Sequence, residues 1–190
     1  MQIVKEEFFR TFEVKKSKFI AHIVPYELYE QTLLRLREEH PKARHFVRAY
    51  RYLNEYEQIV EYINDDGEPS GTSAKPALMV LQGEKLINVA VIIVRYFGGI
   101  KLGTGGLVRA YGSALNSLLE IVPSTSYEKE MQCSILFDYS NVRLVEYECE
   151  KFSIVICEKS FDTKVLYLLQ GTEEKIEKLL FSLERKVEVI

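Results

Sequence analysis

The sequence predicts an α+β chain in two domains, residues 1–124 and 125–190. Three observations carry that prediction. Residues Val89 to Val94 form an apolar, β-branched run of the kind buried on both faces of a sheet, and a glycine turn and a helical pattern follow it. Beyond residue 125 the periodicity reads strand, helix, strand, strand, helix, strand, the βαββαβ order of a ferredoxin-like unit. Between the two parts lies a polar break, Pro123-Ser124-Thr125-Ser126, across which the charge balance changes sign. Residues 1–124 hold 16 Lys+Arg against 15 Asp+Glu, while residues 125–190 hold 9 against 13. An anion-binding face therefore belongs to the first domain, and the second is the acidic one.

The elements follow in chain order. Ser17 to Val24 is a strand ended by Pro25, and Tyr26 to Glu39 a helix with Leu33, Leu34 and Leu36 inward and a stop at Pro41. His45–Tyr52 and Gln58–Ile63 alternate as two antiparallel strands. In the first of these, Arg48 shares a face with Phe46, Tyr50 and Tyr52, and Arg51 faces the other way. Such a surface either stacks and neutralises RNA or is a half-covered sheet face with snorkelling arginines.

Asp65, Asp66, Gly67 and Glu68 then form an acidic turn, because Asp-Gly and the following Pro-Ser-Gly are turn chemistry. Three carboxylates in four residues can hold a divalent cation; the alternative is a solvated turn bonding its own backbone. The spacing is not that of an EF-hand, since the twelfth position from Asp65 is Pro76. Thr72 or Ser73 is placed to cap a helix over Ala74–Leu81. Lys75 at that positive helix start suggests an ion pair with Asp65, Asp66 or Glu68.

The strand at Val89–Val94 feeds a turn with Gly98, Gly99, Gly103, Gly105 and Gly106, half of the ten glycines in the chain. After it, Leu107, Ala110, Tyr111, Ala114, Leu115, Leu118 and Val122 recur at helical spacing. A loop of this kind can aim backbone N–H groups and the positive helix end at an anion, with Arg95, Tyr96, Lys101 and Arg109 beside it. It matches neither standard phosphate loop: Thr104 stands where a Walker lysine would be, and Val108 where the dinucleotide fingerprint has its third glycine. The competing reading is that the glycines serve only positive φ and close packing.

In the second domain the expected elements are strand Met131–Tyr139, helix Asn141–Lys151, strands Phe152–Glu158 and Thr163–Gln170, helix Thr172–Glu184 and strand Lys186–Ile190. The N-terminus is too charged for a signal peptide, and no apolar run approaches the ~20 residues of a membrane span. Cys133, Cys149 and Cys157, with no C-x-x-C pair, read as reduced thiols of a cytoplasmic protein. No complete catalytic motif is present. His45 is the one histidine to weigh as a general base, against a structural role bonding a loop carbonyl. No cofactor is expected.

The stretches RYFGGIKLGTGGLVRAYGSAL and DDGEPSGTSAKP, with SKFIAHI and HPKARHFVRAY before them, resemble the IMPACT family and specifically its bacterial YigZ/YvyE branch. The resemblance implies a first domain with the α+β fold of a small-subunit ribosomal protein and of elongation factor G, and a small second domain like one of elongation factor G. It implies a translation-linked role, with RNA, the ribosome or a translation-related protein as partner. Phosphate contacts would fall to Arg95, Lys101, Arg109 and the glycine-loop amides, with Arg48, Tyr50 and Arg51 as neighbouring surface. His45 matches a histidine of the family's A-x-H block, but Phe46 and Val47 depart from the residues usual after it. A protein–protein module docking through the second domain and a metal-dependent enzyme on a small phosphorylated or peptide substrate are the alternatives.

Overall fold

A computed structural model describes residues 1–123 and 125–190; Ser124, in the expected break, lies outside the described residues. The chain separates into two compact units, 1–127 and 128–190. Thr125 and Ser126 belong to the first, because as strand β7 (Thr125–Ser126) they pair with Ile3 and Gln2 of β1 (Gln2–Ile3).

The first unit is built on an antiparallel sheet of five strands: β2 (Phe8–Val14), β3 (Ser17–Pro25), β4 (His45–Leu53), β5 (Ile59–Asn64) and β6 (Val89–Tyr96), in the order β2-β3-β6-β4-β5. β6 takes the centre because both of its faces are apolar. Val89, Val91 and Ile93 face one way and pack under α2 (Ala74–Gly83) and α3 (Thr104–Leu119). Ile92 and Val94 face the other way and meet Ile20, Leu36 and Phe46 beneath α1 (Tyr29–Glu39). Each such fully buried aliphatic side chain contributes about 1.5–3 kcal/mol of transfer free energy.

The helix expected from Tyr26 opens as a 3-10 turn, Tyr26–Leu28, before α1 begins. Leu34, expected to face inward, is 65% exposed, while Leu36 is fully buried. One helix about 10 Å wide cannot cover five strands spaced about 4.8 Å apart. The uncovered strip on one side carries a tyrosine cluster, Tyr50 lying 5.1 Å from Tyr26, 5.2 Å from Tyr29 and 4.8 Å from Tyr62 between ring centroids. On the other side is a cavity of about 490 Å³ lined by residues including His22, Arg35 and His40.

The edge strand β2 has no counterpart in the sequence reading. It is joined to β3 by Lys15 and Lys16, both at positive φ (46° and 64°), a two-residue hairpin made without the glycine or asparagine that signals one.

The second unit is a four-stranded antiparallel sheet in the order β11-β8-β10-β9, with β8 (Glu130–Phe137), β9 (Val155–Phe161), β10 (Val165–Thr172) and β11 (Val187–Val189). Helices α4 (Val142–Lys151) and α5 (Glu173–Leu183) complete the ferredoxin-like βαββαβ order. Thr172 caps α5 as its position suggests, its hydroxyl accepting from Lys175 N. The strand expected from Phe152 begins at Val155, because Phe152 closes α4 and Ser153 turns the chain at φ 53°. Cys133 and Cys149 are buried and Cys157 is exposed, and burial raises the Cys149 thiol to about 11.

Candidate functional site

The acidic turn has three separate tasks. Asp65 reaches the start of α2: its Oδ1 accepts from Ser73 N (3.2 Å), Ala74 N (2.9 Å) and the Ser73 hydroxyl, and its Oδ2 from Gly71 N (2.8 Å). The helix cap expected of Thr72 or Ser73 thus comes from eight residues upstream; Thr72 instead donates to the Pro69 carbonyl. Burial works against the charge of Asp65, yet the bonds from Ser73, Ala74 and Gly71 hold it below the usual carboxylate range.

Asp66, at φ 45°, straps the beginning of β4: Oδ2 accepts from Phe46 N (2.8 Å), Oδ1 from Arg48 (3.3 Å), and its carbonyl from His45 Nδ1 (2.8 Å). Glu68, 8% exposed, turns inward, where Arg95 and the Tyr111 hydroxyl (2.8 Å) donate to its Oε1. Burial and the neighbouring Glu68 carboxylate push the Tyr111 phenol far up. The three carboxylates do not converge. Among the described residues no group of three or more His, Cys, Asp or Glu side chains could hold a metal ion. Lys75 is exposed, and no ion pair joins it to Asp65, Asp66 or Glu68.

Above Glu68 opens a cleft of about 350 Å³, lined by Arg44, His45, Glu68, Pro69, Arg95, Phe97, Lys101, Leu102, Gly103, Thr104 and Leu107. β4 and β6 put His45 and Arg95 directly opposite each other. His45 donates its Nδ1 proton to the Asp66 carbonyl, which leaves Nε2 facing the cleft 4.0 Å from Glu68 Oε1. That is the structural role weighed from the sequence, and the same bond fixes the orientation of the ring.

The far wall is the start of α3. Gly103 holds φ 73°, outside the helical range, and among the described residues no side chain caps the start of the helix. The first amides of a sixteen-residue helix therefore open toward the cleft with Lys101 and Arg44, both exposed, at its rim.

The five glycines divide by task. A Cβ on Gly98 would stand 2.0 Å from the Lys16 carbonyl carbon, so Gly98 is a packing glycine. Gly99 (φ 85°) and Gly103 meet nothing within 4 Å and leave that bend open. Gly105 and Gly106 lie inside the first turn of α3 rather than in the loop.

Of the residues expected to meet an anion, the cleft gathers Arg95, Lys101 and Gly103. Arg95 is not the free arm expected: it is 6% exposed and paired with Glu68, and its Nε finds no partner among the described residues. Arg109 lines a neighbouring cavity of about 250 Å³ with Lys15, the two hollows sharing Leu102 as a wall. Tyr96 turns to the opposite face, its hydroxyl 3.0 Å from His40 Nδ1. Arg48, Tyr50 and Arg51 stand outside the cleft. Arg51 bonds Glu61 and the Leu81 and Leu86 carbonyls, which tie the end of α2 to the sheet. Arg44, Phe97 and Leu102 escaped the sequence reading; an aromatic directly ahead of the glycine pair was the available signal for Phe97.

The chain matches the model of the Impact N-terminal domain over residues 15–119. It is similar to an IMPACT family member of Haemophilus influenzae, at 36% identity over 92% of this chain and 86% of that one. It is similar to IMPACT family member YigZ of Escherichia coli at 43% identity, over 56% of this chain and 54% of YigZ. Among solved structures, a crystal structure described as a hypothetical protein superposes with a TM-score of 0.72 at 28% identity, covering 100% of this chain and 95% of the other. With a domain match spanning more than half its length and a relative aligned along nearly all of it, the chain belongs to the IMPACT family.

Proposed function

We propose that this protein is a translation-linked binding protein whose cleft at the start of α3 takes a phosphate-bearing ligand, with RNA or the ribosome as its source. The observation that carries the reading is the uncapped N-terminus of α3, opening on the same hollow as Lys101 and Arg44. Backbone N–H groups and a helix dipole favour an anion there, and Lys101 and Arg44, both exposed and without an ion-pair partner among the described residues, add charge. Membership of the IMPACT family supports the role, and the cleft supports the contact. No helix among the described residues is long and apolar enough to cross a membrane.

A filter-binding titration with ribosomes and with total RNA at several salt concentrations tests it. Wild type is expected to bind with an affinity that falls steeply as salt rises, and Lys101→Glu to lose the association. Equal binding by both proteins, or binding indifferent to salt, overturns the reading.

A further inference from the structure

We infer that the ligand unit of this cleft is a nucleotide, its base stacked on Phe97 and its phosphate on the first turn of α3. The inference rests on the phosphate reading above and adds the other half of the ligand. Phe97 is 54% exposed at the end of β6, although a phenyl ring gains by burial. It lines the cleft on the same wall as Arg95, whose guanidinium carbon lies 5.7 Å from its ring centroid. Arg95 is itself buried and lines the cleft, and among the described residues its Nε has no hydrogen-bond partner, so a polar group is left unsatisfied in the wall beside the ring.

Pro69 and Leu102 add apolar surface to the lining that carries the two cations. A lone phosphate would use only the rim and the helix start, and would leave the ring and its apolar neighbours in water. A flat heterocycle joined to a phosphate uses both halves. Base–aromatic stacking is tolerant of sequence, because every base has a π-face. The source of the unit is either a free nucleotide or an unpaired nucleotide of an RNA strand.

Calorimetric titration of the full chain with adenosine monophosphate, ribose 5-phosphate, phenyl phosphate and a 5′-phosphorylated ten-nucleotide oligoadenylate tests this. Adenosine monophosphate is expected to bind more tightly than ribose 5-phosphate. Phe97→Ala should weaken the nucleotide roughly 5- to 100-fold while leaving ribose 5-phosphate within about two-fold, and Phe97→Tyr should retain the nucleotide. The oligomer binding more tightly than the monomer assigns the site to single-stranded RNA, and the reverse order assigns it to a free nucleotide.

Ribose 5-phosphate or phenyl phosphate binding as well as the nucleotide overturns the inference and leaves the phosphate site standing. So does an equal effect of Phe97→Ala on nucleotide and ribose 5-phosphate. Failure of every probe to bind overturns both this inference and the phosphate reading.

Discussion

Glu68 and Arg95 meet inside the first unit with Oε1 2.5 Å from Nη1, their side chains 3% and 7% exposed. Tyr111 closes the same carboxylate from α3, so the floor of the cleft is one hydrogen-bonded charge pair linking the acidic turn, β6 and α3. Removing one member of such a pair strands the other charge in the interior. Glu68→Gln is therefore expected to destabilise the protein by about 3–5 kcal/mol, read from the urea midpoint. Joint replacement by Glu68→Leu and Arg95→Met should recover most of that loss, since no charge is left buried. Tyr111→Phe should cost only about 1–2 kcal/mol, the loss of one bond to a charged acceptor.

Asp65 makes a distinct contribution, as the cap of α2 placed at a distance. Asp65→Ala should cost about 2 kcal/mol at neutral pH, because the amides of Gly71, Ser73 and Ala74 lose their acceptor. The pH dependence has a definite sign. The folded state holds this carboxyl below its unfolded value, so the unfolded chain binds the proton first. The stabilisation is complete above the unfolded carboxylate value, about 3.9, and is lost as the pH falls below it. Urea unfolding from pH 6 down to pH 2.5 should show an acid limb that is shallower in Asp65→Asn.

Gly98 and Gly99 are adjacent and should respond differently to a methyl group. Alanine at 98 would drive its Cβ into the backbone of Lys16 and Ser17, at 2.0 Å and 2.4 Å, and those atoms have no flexible end to swing aside. Gly98→Ala is expected to cost about 2–3 kcal/mol or more, through displacement of the hairpin or the loop. Gly99→Ala meets open space and pays only for its φ of 85°, about 1–2 kcal/mol. Thermal melts of the two variants side by side measure the difference.

His22 supplies a separate pH dependence, away from the cleft. It is 5% exposed; its Nδ1 donates to Glu7 at 2.8 Å, and its Nε2 has no partner among the described residues. Burial lowers its affinity for a proton; Glu7 opposes that shift, while Arg35 and His40 add to it. The folded value lies below the unfolded one, so the unfolded chain takes up the proton first as the solution is acidified. The stabilisation from a neutral His22 is complete above about pH 6.5 and is lost as the pH falls toward 5. Unfolding free energies at pH 7.5 and pH 5 should differ less in His22→Gln than in wild type.

The central strand and helix were legible in the sequence because their periodicities are unambiguous: every residue from Val89 to Val94 is apolar and buried, and the stripe from Leu107 to Leu118 is the buried face of α3. β2 was not legible. Its turn residues are two lysines, which carry no turn signal, and its inward Phe8, Phe12 and Val14 are separated by a charged Arg10 on the same face. The acidic turn was found as a motif, but its chemistry was not. Sequence spacing cannot distinguish carboxylates that converge on a cation from carboxylates that part to serve a helix, a strand and an arginine. The same limit explains the basic residues. Arg95, Lys101 and Arg109 are near neighbours in the chain, yet one is buried under the cleft, one stands on its rim and one lies beyond Leu102.

The pairing of β1 with β7 has a consequence at the opposite end of the first unit. Met1 to Ile3 clasp Thr125, Ser126 and Tyr127, the last through its amide on the Met1 carbonyl. Only residues 128 and 129 then precede β8. Loss of residues 1–3 would take away the strand that β7 pairs with and leave residues 125–127 without those backbone bonds.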